Sequence, residues 1–282
     1  MSDSLPVARD VAALREATRG WRAQGLSIGF VPTMGALHAG HVSLVRAAKS
    51  RLDKVVTSIF VNPKQFAPHE DFERYPRDEA GDASKLAEGG CDLIYAPAPA
   101  IMYPEGFSSR VIVSRVATPL EGEMRPHFFA GVATVVTKLF LQCLPDAAFF
   151  GEKDYQQLQV VKRLVRDLDI PVEIVGCPTV REPDGLAMSS RNAYLSPRER
   201  SVAAKLNVIL RDCIEALKHG VDIVAVERAG ALQLHEAGFE CIDYVAVRDA
   251  DTLEPVEALD RPVRILAAAW LGKTRLIDNM AV

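Results

Sequence analysis

The sequence predicts an α/β fold, a parallel sheet with flanking helices followed by a smaller α+β domain. Three observations carry that prediction. Short, continuously apolar runs recur through the first two thirds of the chain, as strands buried on both faces require. The stretches between them repeat their apolar residues at helical spacing. Near residue 180 the chain becomes polar and turn-rich, which divides it into 1–180 and 181–282.

In chain order the strand candidates are LSIGFV (26–31), KVVTSIFV (54–61), CDLIYAP (91–97), AAFF (147–150) and VEIVGC (172–177). A helix after the first carries its stripe at positions 41, 45, 48 and 52, and one after the fourth at 158, 161, 165 and 168. Parallel strands place the functional crevice at their carboxyl ends. The polar stretch FAPHEDFERYPRDEAGD (66–82) leaves the second strand at that edge and reads as a lid or, equally, as a surface loop. In the second part a helix is expected from Ser196 to about Lys218. Ser196 caps it, Pro197 takes its first position, Glu199 closes a capping box, and His219-Gly220 stops it. DYVAVR (243–248) and RPVRILAAAWL (261–271) are two further strands. The sequence shows no internal repeat, low-complexity tract or heptad pattern.

The 282 residues are 49% apolar and 25% charged, the balance of a globular protein that buries a core without disulfides or metals. A net charge of −4 and a pI of about 5.9 argue against a basic nucleic-acid surface. An anionic small molecule needs only a few local cations. Cys91, Cys143, Cys177, Cys213 and Cys241 lie too far apart for zinc-ribbon or CxxC spacing, and scattered thiols suit a reducing compartment. The charged N-terminal stretch lacks the apolar run of a signal peptide. The most apolar long segment is interrupted by Lys138, Gln142 and Asp146, so it is no membrane span. The expectation is a cytoplasmic protein with neither nucleic-acid nor membrane partners.

The motif MGALHAGH, residues 34–41, follows the first strand and opens a helix. His38 and His41, three apart, share one helix face. A helix N-terminus offers unpaired N–H groups and partial positive charge, and Gly40 removes a Cβ where a ligand would approach. With imidazole N–H donors added, this describes a phosphate site. A semi-buried structural His41 is the plainer alternative; zinc, which needs three or four ligands, is a weaker one. FFGEKDYQQ (149–157) repeats the layout. Lys153 in a first helical turn, where the dipole disfavours a cation, points to a negative ligand; pairing with Glu152 or Asp154 is the alternative. GLAMSSRN (185–192) places Ser189, Ser190 and Arg191 together, either as phosphate-oxygen donors or as a polar linker. Neither a Walker A pattern nor GxGxxG is present, so nucleotide binding here takes another form.

These stretches, with SIFVNPKQF between the first two, resemble the pantothenate synthetase (pantoate–β-alanine ligase) family of the HxGH nucleotidyltransferase superfamily. The likeness runs from VPTMGALHAGH to AAWLGKTRLIDN; HAGH is similar to the superfamily signature and MSSR to its second, KMSKS-like loop. The resemblance implies a Rossmann-like N-terminal domain with a smaller C-terminal one. It implies ATP-dependent condensation of pantoate with β-alanine through pantoyl adenylate, releasing pyrophosphate and AMP. By the same resemblance Met34, Gly35, Ala36, Leu37, His38, Ala39, Gly40 and His41 hold ATP, together with Gly151, Glu152, Lys153, Asp154, Val180, Met188, Ser189, Ser190 and Arg191. Gln65 and Gln157 hold pantoate, and Gln65 also reaches β-alanine. His41, with His38, Lys153 and Arg191, carries the chemistry. Mg2+ accompanies the triphosphate through ligands the sequence does not identify, and the assembly is a homodimer. Two positions depart from the family pattern. In RPHFFAGV (125–132) His127 sits one place early, with Phe128 where a histidine is expected, and Lys64 stands where Met or Thr is common. Another HxGH nucleotidyltransferase that forms no amide and a nucleotide-binding regulator without turnover are the alternatives.

Overall fold

The structure, a computed structural model, describes residues 5–67 and 72–282. The chain runs through β1 (Val7–Ala8), α1 (Val11–Arg22), β2 (Ile28–Thr33), α2 (Ala39–Lys49), β3 (Lys54–Ile59), α3 (Glu79–Gly89) and β4 (Leu93–Tyr95). The short helices α4 (Pro99–Met102) and α5 (Glu121–Met124) lead to α6 (Phe128–Cys143), β5 (Ala147–Gly151), α7 (Tyr155–Asp167) and β6 (Glu173–Cys177). The six strands form one parallel sheet in the order β1-β4-β3-β2-β5-β6. Phe30, Val56, Leu93 and Ala148 pack into the same core as α1, α6 and α7. Val31, Val55, Ile94 and Phe149 point the other way, into the core with α2 and α3. Helices cover both faces, so successive strand residues are apolar without alternation.

β3 and β4 extend the sheet to one side of β2, and β5 and β6 to the other. The order therefore reverses between β2 and β5, where open α/β sheets bind their ligands. The local sequence opens this crevice. Even-numbered residues of β2 turn their backbone toward β5, since Ile28 O accepts from Asp146 N at 2.8 Å. That ladder covers only Gly29 and Phe30. Pro32, which has no N–H to offer, stands just beyond it, so the ring forfeits no ladder bond as the two strands part. The first strand, expected over 26–31, instead continues through Pro32 to Thr33.

The remainder comprises α8 (Pro197–Ala203), α9 (Lys205–Lys218), α10 (Ile223–Ala237), β7 (Cys241–Asp249), β8 (Val263–Leu271) and β9 (Thr274–Ala281). The strands form an antiparallel sheet, β7-β8-β9, packed on α9 and α10 around a core of its own. Several expectations need correction. The single helix from Ser196 is interrupted at Ala204, whose dihedrals stay right-handed helical. The α7 stripe ends at Val165; Leu168 is the C-cap and is exposed. β1, with two residues, is too short to show periodicity. β9 was missed because Asp278 and Asn279 break its apolar pattern; both are buried. Within 66–82, residues 68–71 lie outside the described residues, and α3 begins at Glu79. Among the described residues no helix is long and apolar enough to cross a membrane.

Candidate active site

A cavity of about 1030 Å³ lies at the reversal point between β2 and β5. Met34, His38, Gly40 and His41 reach it from the end of β2 and the start of α2; Gln65 enters from a 3-10 turn, Pro63–Gln65, after β3. Gly151, Lys153, Asp154 and Gln157 enter from β5 and the start of α7, and Val180, Met188, Ser189, Ser190 and Arg191 from the segment after β6. Five of the residues expected at ATP stand off the lining: Gly35, Ala36, Leu37, Ala39 and Glu152.

His38 is the N-cap of α2, with its Nδ1 accepting Gly40 N–H at 3.2 Å, and His41 Nδ1 accepts His38 N–H at 3.3 Å. Each imidazole thus substitutes for the Ser and Glu of a capping box. The consequence is chemical. A neutral ring whose Nδ1 accepts must carry its proton on Nε2, so both rings become donors on the side away from the backbone. Their centroids are 4.1 Å apart. Burial, reinforced by the Lys153 charge, lowers the His38 pKa to about 4; burial and the neighbouring His38 lower that of His41 to about 3. Both are neutral at pH 7. A Cβ on Gly40 would lie 2.9 Å from the His38 ring, so this glycine makes room for the imidazole itself.

The loop before His38 is bent back on itself. Gly35 has φ +84° and Ala36 φ +51°, the left-handed region that glycine tolerates and alanine resists. Sequence reasoning missed what holds it there. Asp82 of α3, only 1% exposed, accepts Ala36 N–H at 2.8 Å and Leu37 N–H at 2.7 Å, and Lys85 Nζ donates to Leu37 O at 2.9 Å.

Lys153 sits in a 3-10 turn, Glu152–Asp154, one turn ahead of α7 rather than within it. Its Nζ lies 3.6 Å from Asp154 Oδ1. Glu152 turns away to Arg264 at 2.9 Å, and Asn279 Nδ2 donates to the carbonyls of Glu152 and Lys153, both at 2.9 Å. β9 and β8 therefore fix the turn from behind. The other phosphate candidates are held by a similar device. Met188 N–H donates to Val180 O at 3.0 Å across a turn at Gly185, and Arg181 grips buried Asp278 through bonds of 2.7 and 2.9 Å. Ser189 Oγ then caps the turn Ser190–Tyr194 by accepting Arg191 N–H at 3.2 Å, and Ser190 Oγ meets Tyr75 OH at 3.2 Å. Neither Asn279 nor Asp278 has a signal in the local sequence around the site.

Gln65 is oriented by Asn62, which sequence reasoning also passed over. Buried Asn62 donates to Gln65 Oε1 at 3.0 Å and to Gly131 O at 3.1 Å, while its Oδ1 accepts from Tyr103 OH at 2.7 Å. Gln65 Nε2 lies 2.9 Å from Met34 Sδ. At Gly131 an added Cβ would stand 2.2 Å from Lys64 O, so α6 reaches the turn only because this residue is glycine. Both departures from the family pattern then find a place. His127 is exposed and off the lining, while Phe128 lines the cavity with the Arg125 guanidinium 3.8 Å from its ring centroid. Lys64 is exposed, its Nζ 4.9 Å from the Tyr103 ring and 5.2 Å from that of Phe107, also off the lining. Beyond Gln65 the wall is apolar, built from Phe129, Val132, Val136 and Phe150.

Comparison with known proteins agrees over the whole chain. The profile of the family described as pantoate-beta-alanine ligase matches residues 6–281. The pantothenate synthetase of Paramagnetospirillum magneticum is 57% identical over 282 residues, covering 100% of this chain and 99% of that protein. That of Caulobacter vibrioides is 57% identical over 279 residues, covering 98% of each. Among solved structures, the pantothenate synthetase of Thermus thermophilus superimposes with a TM-score of 0.92 at 46% identity, covering 98% of each chain. The pantoate-beta-alanine ligase of Francisella tularensis, complexed with beta-gamma ATP and beta-alanine, gives 0.83 at 36% identity, covering 98% of this chain and 97% of that one.

Proposed function

Because the chain belongs to the pantoate–β-alanine ligase family, we propose that this cavity activates pantoate with ATP at one wall and transfers it to an amine within the same space. The enzyme ligates pantoate to β-alanine with ATP as a substrate. The alternatives of a nucleotidyltransferase forming no amide and of a regulator without turnover give way to this activity.

In the first half-reaction a pantoate carboxylate oxygen bonds to the α-phosphorus of ATP and the bond to the β-phosphate oxygen breaks, releasing pyrophosphate. In the second the β-alanine nitrogen bonds to the acyl carbon, the carbon–oxygen bond to AMP breaks, and the amine proton passes to solvent. Adenylation places growing charge on phosphate oxygens, so positioned donors supply most of the catalysis. The observation that carries the reading is the convergence of two neutral Nε2–H imidazoles, Lys153, Ser190 and Arg191 on one cavity. Neutral His41 acts there as a hydrogen-bond donor. It does not need to release a proton, because pyrophosphate leaves as an anion. Met34, Gly40, Gly151, Asp154, Val180, Met188 and Ser189 complete the ATP wall. Gly35, Ala36, Leu37, Ala39 and Glu152 serve that wall from behind. The amides of Gln65 and Gln157 suit the hydroxyls and carboxylate of pantoate, and its two methyl groups suit the apolar wall of Phe129, Val132 and Val136.

Mg2+ fits this site as a companion of the triphosphate. Among the described residues no cluster of three or more His, Cys, Asp or Glu forms a protein cage, and Mg2+ ordinarily combines one or two carboxylates with phosphate oxygens and water. Asp154 is the carboxylate beside Lys153 that would share it, and the ion would offset phosphate charge. We also assign residues 1–180 and 181–282 to two domains, place the protein in the cytoplasm on its five free cysteines, and infer a homodimer from family likeness. The test of the reading is product release. ATP and pantoate alone should yield one equivalent of pyrophosphate, with AMP appearing only on addition of β-alanine. AMP release that precedes β-alanine, or pyrophosphate release that requires it, would overturn the two-step scheme.

A further inference from the structure

We propose that Asp82 is a positioning residue for adenylation, acting through the imidazoles of His38 and His41 and touching no substrate. The inference rests on the donor role assigned to those imidazoles. Asp82 is 1% exposed and off the cavity lining. Its two carboxylate oxygens are each committed to a backbone N–H, Ala36 to Oδ2 and Leu37 to Oδ1. These are the two residues immediately before His38. One of them, Ala36, holds φ +51°, a left-handed conformation that costs a non-glycine residue free energy.

The carboxylate can oppose that cost because bonds to an ionised acceptor are stronger than neutral ones. Lys85 Nζ closes the arrangement, 2.9 Å from Leu37 O and 3.9 Å from Asp82 Oδ1. The loop thus hangs from one side chain of α3, and the direction of the His38 N–H, which fixes the His41 tautomer, depends on it. Gly35 belongs to the same device, since a Cβ there would lie 3.1 Å from Asp82 Oδ2.

Asparagine at this position keeps the volume but can accept only one of the two N–H groups. A misplacement of about 1 Å caused by a group remote from the chemistry can cost on the order of 100-fold. Asp82→Asn should therefore lower kcat for pyrophosphate release by about 10- to 100-fold, with the KM for pantoate within about threefold. Lys85→Met should act in the same direction more weakly. In a His38→Ala/His41→Ala background Asp82→Asn should cost less than about threefold. Independently of turnover, 15N spectra of histidine-labelled protein should show His38 and His41 as Nε2–H tautomers in the wild type. Asp82→Asn should shift those two signals and leave those of His127, His219 and His235 unmoved.

Unchanged His38 and His41 signals with wild-type kcat in folded Asp82→Asn would overturn the proposal, as would an undiminished loss in the double-alanine background. If Asp82→Asn does not fold, unaltered histidine signals in Lys85→Met overturn it. Should His41→Ala itself release pyrophosphate at the wild-type rate, the donor role fails, while the spectra still decide whether Asp82 orients the rings.

Discussion

Replacing His41 with alanine separates what the imidazole does for chemistry from what it does for folding. In the folded protein the ring lines the cavity with Nε2–H free to donate, and it contributes one capping bond of 3.3 Å to the N-terminus of α2. Loss of one preorganised donor at a site of developing charge costs roughly 10²–10³ in rate, or about 3–4 kcal/mol of transition-state stabilisation. Loss of a helix cap costs about 1 kcal/mol of stability. α2 remains anchored by Val42, Leu44, Val45 and Ala48, all buried. The variant should thus stay folded, with urea unfolding shifted by about 1 kcal/mol, and release pyrophosphate about 100- to 1000-fold more slowly in a single turnover with ATP and pantoate. The wild-type rate should show no titration of these imidazoles near their usual pKa, because they are neutral down to about 4 and about 3. A rate loss below about threefold would refute the donor role, whatever happened to stability. A kinetic pKa near 6.5 that vanishes in the variant would refute the neutral form.

Other perturbations test other parts of the site. The lowered histidine pKa values predict that stability falls with acid: below pH 6.5 the unfolded chain takes up protons that the folded imidazoles refuse until pH 4 and 3. Each ring adds up to about 1.4 kcal/mol per pH unit to that slope, and His38→Gln/His41→Gln should flatten it in urea titrations between pH 6.5 and 4. Lys153→Met should raise the KM for ATP about tenfold or more and slow adenylate formation with little change in melting temperature, for among the described residues its Nζ has only the 3.6 Å contact to Asp154 as an ion pair; unchanged ATP kinetics would remove it from the mechanism. Gln65→Ala should weaken pantoate more than ATP, as read from separate KM values, and equal losses would contradict the assignment. Gly131→Ala should destabilise the fold by about 1–3 kcal/mol by overpacking and weaken pantoate together with it, since the new Cβ would displace the turn that carries Gln65.

Much of the sheet was legible because β2 through β5 are buried on both faces and leave apolar runs that no amphipathic helix would produce, while the edge strand β6 is only partly buried. That the proposed phosphate donors line one cavity was legible for a different reason. His38, His41, Lys153, Ser190 and Arg191 lie within short strand-to-helix or post-strand segments, so adjacency in sequence gives adjacency in space. The residues that orient them were not legible, because their partners are far away along the chain. Asp82 is 44 residues beyond His38 and looks like any acidic residue in the first turn of a helix. Asn279 holds the Lys153 turn from 126 residues away. Asp278 and Asn279 disguised β9 for the same reason: a buried polar residue reads as exposed until its partner is known. Gly40 was read as clearance for a ligand, whereas the close neighbour is the His38 ring, a distinction that only coordinates make. The first strand was expected to end at Val31, yet Pro32 lies inside β2 where the ladder to β5 has already stopped.

The central claim is that phosphate oxygens meet donors gathered between β2 and β5. A crystal structure of the enzyme with a non-hydrolysable ATP analogue and pantoate tests it most directly. His38 Nε2, His41 Nε2 and Lys153 Nζ should stand within about 3.2 Å of phosphate oxygens, with the pantoate carboxylate held beside the α-phosphate by the glutamine amides. A nucleotide seated elsewhere, or one in this cavity with both imidazoles and the lysine directed away from it, would contradict the account.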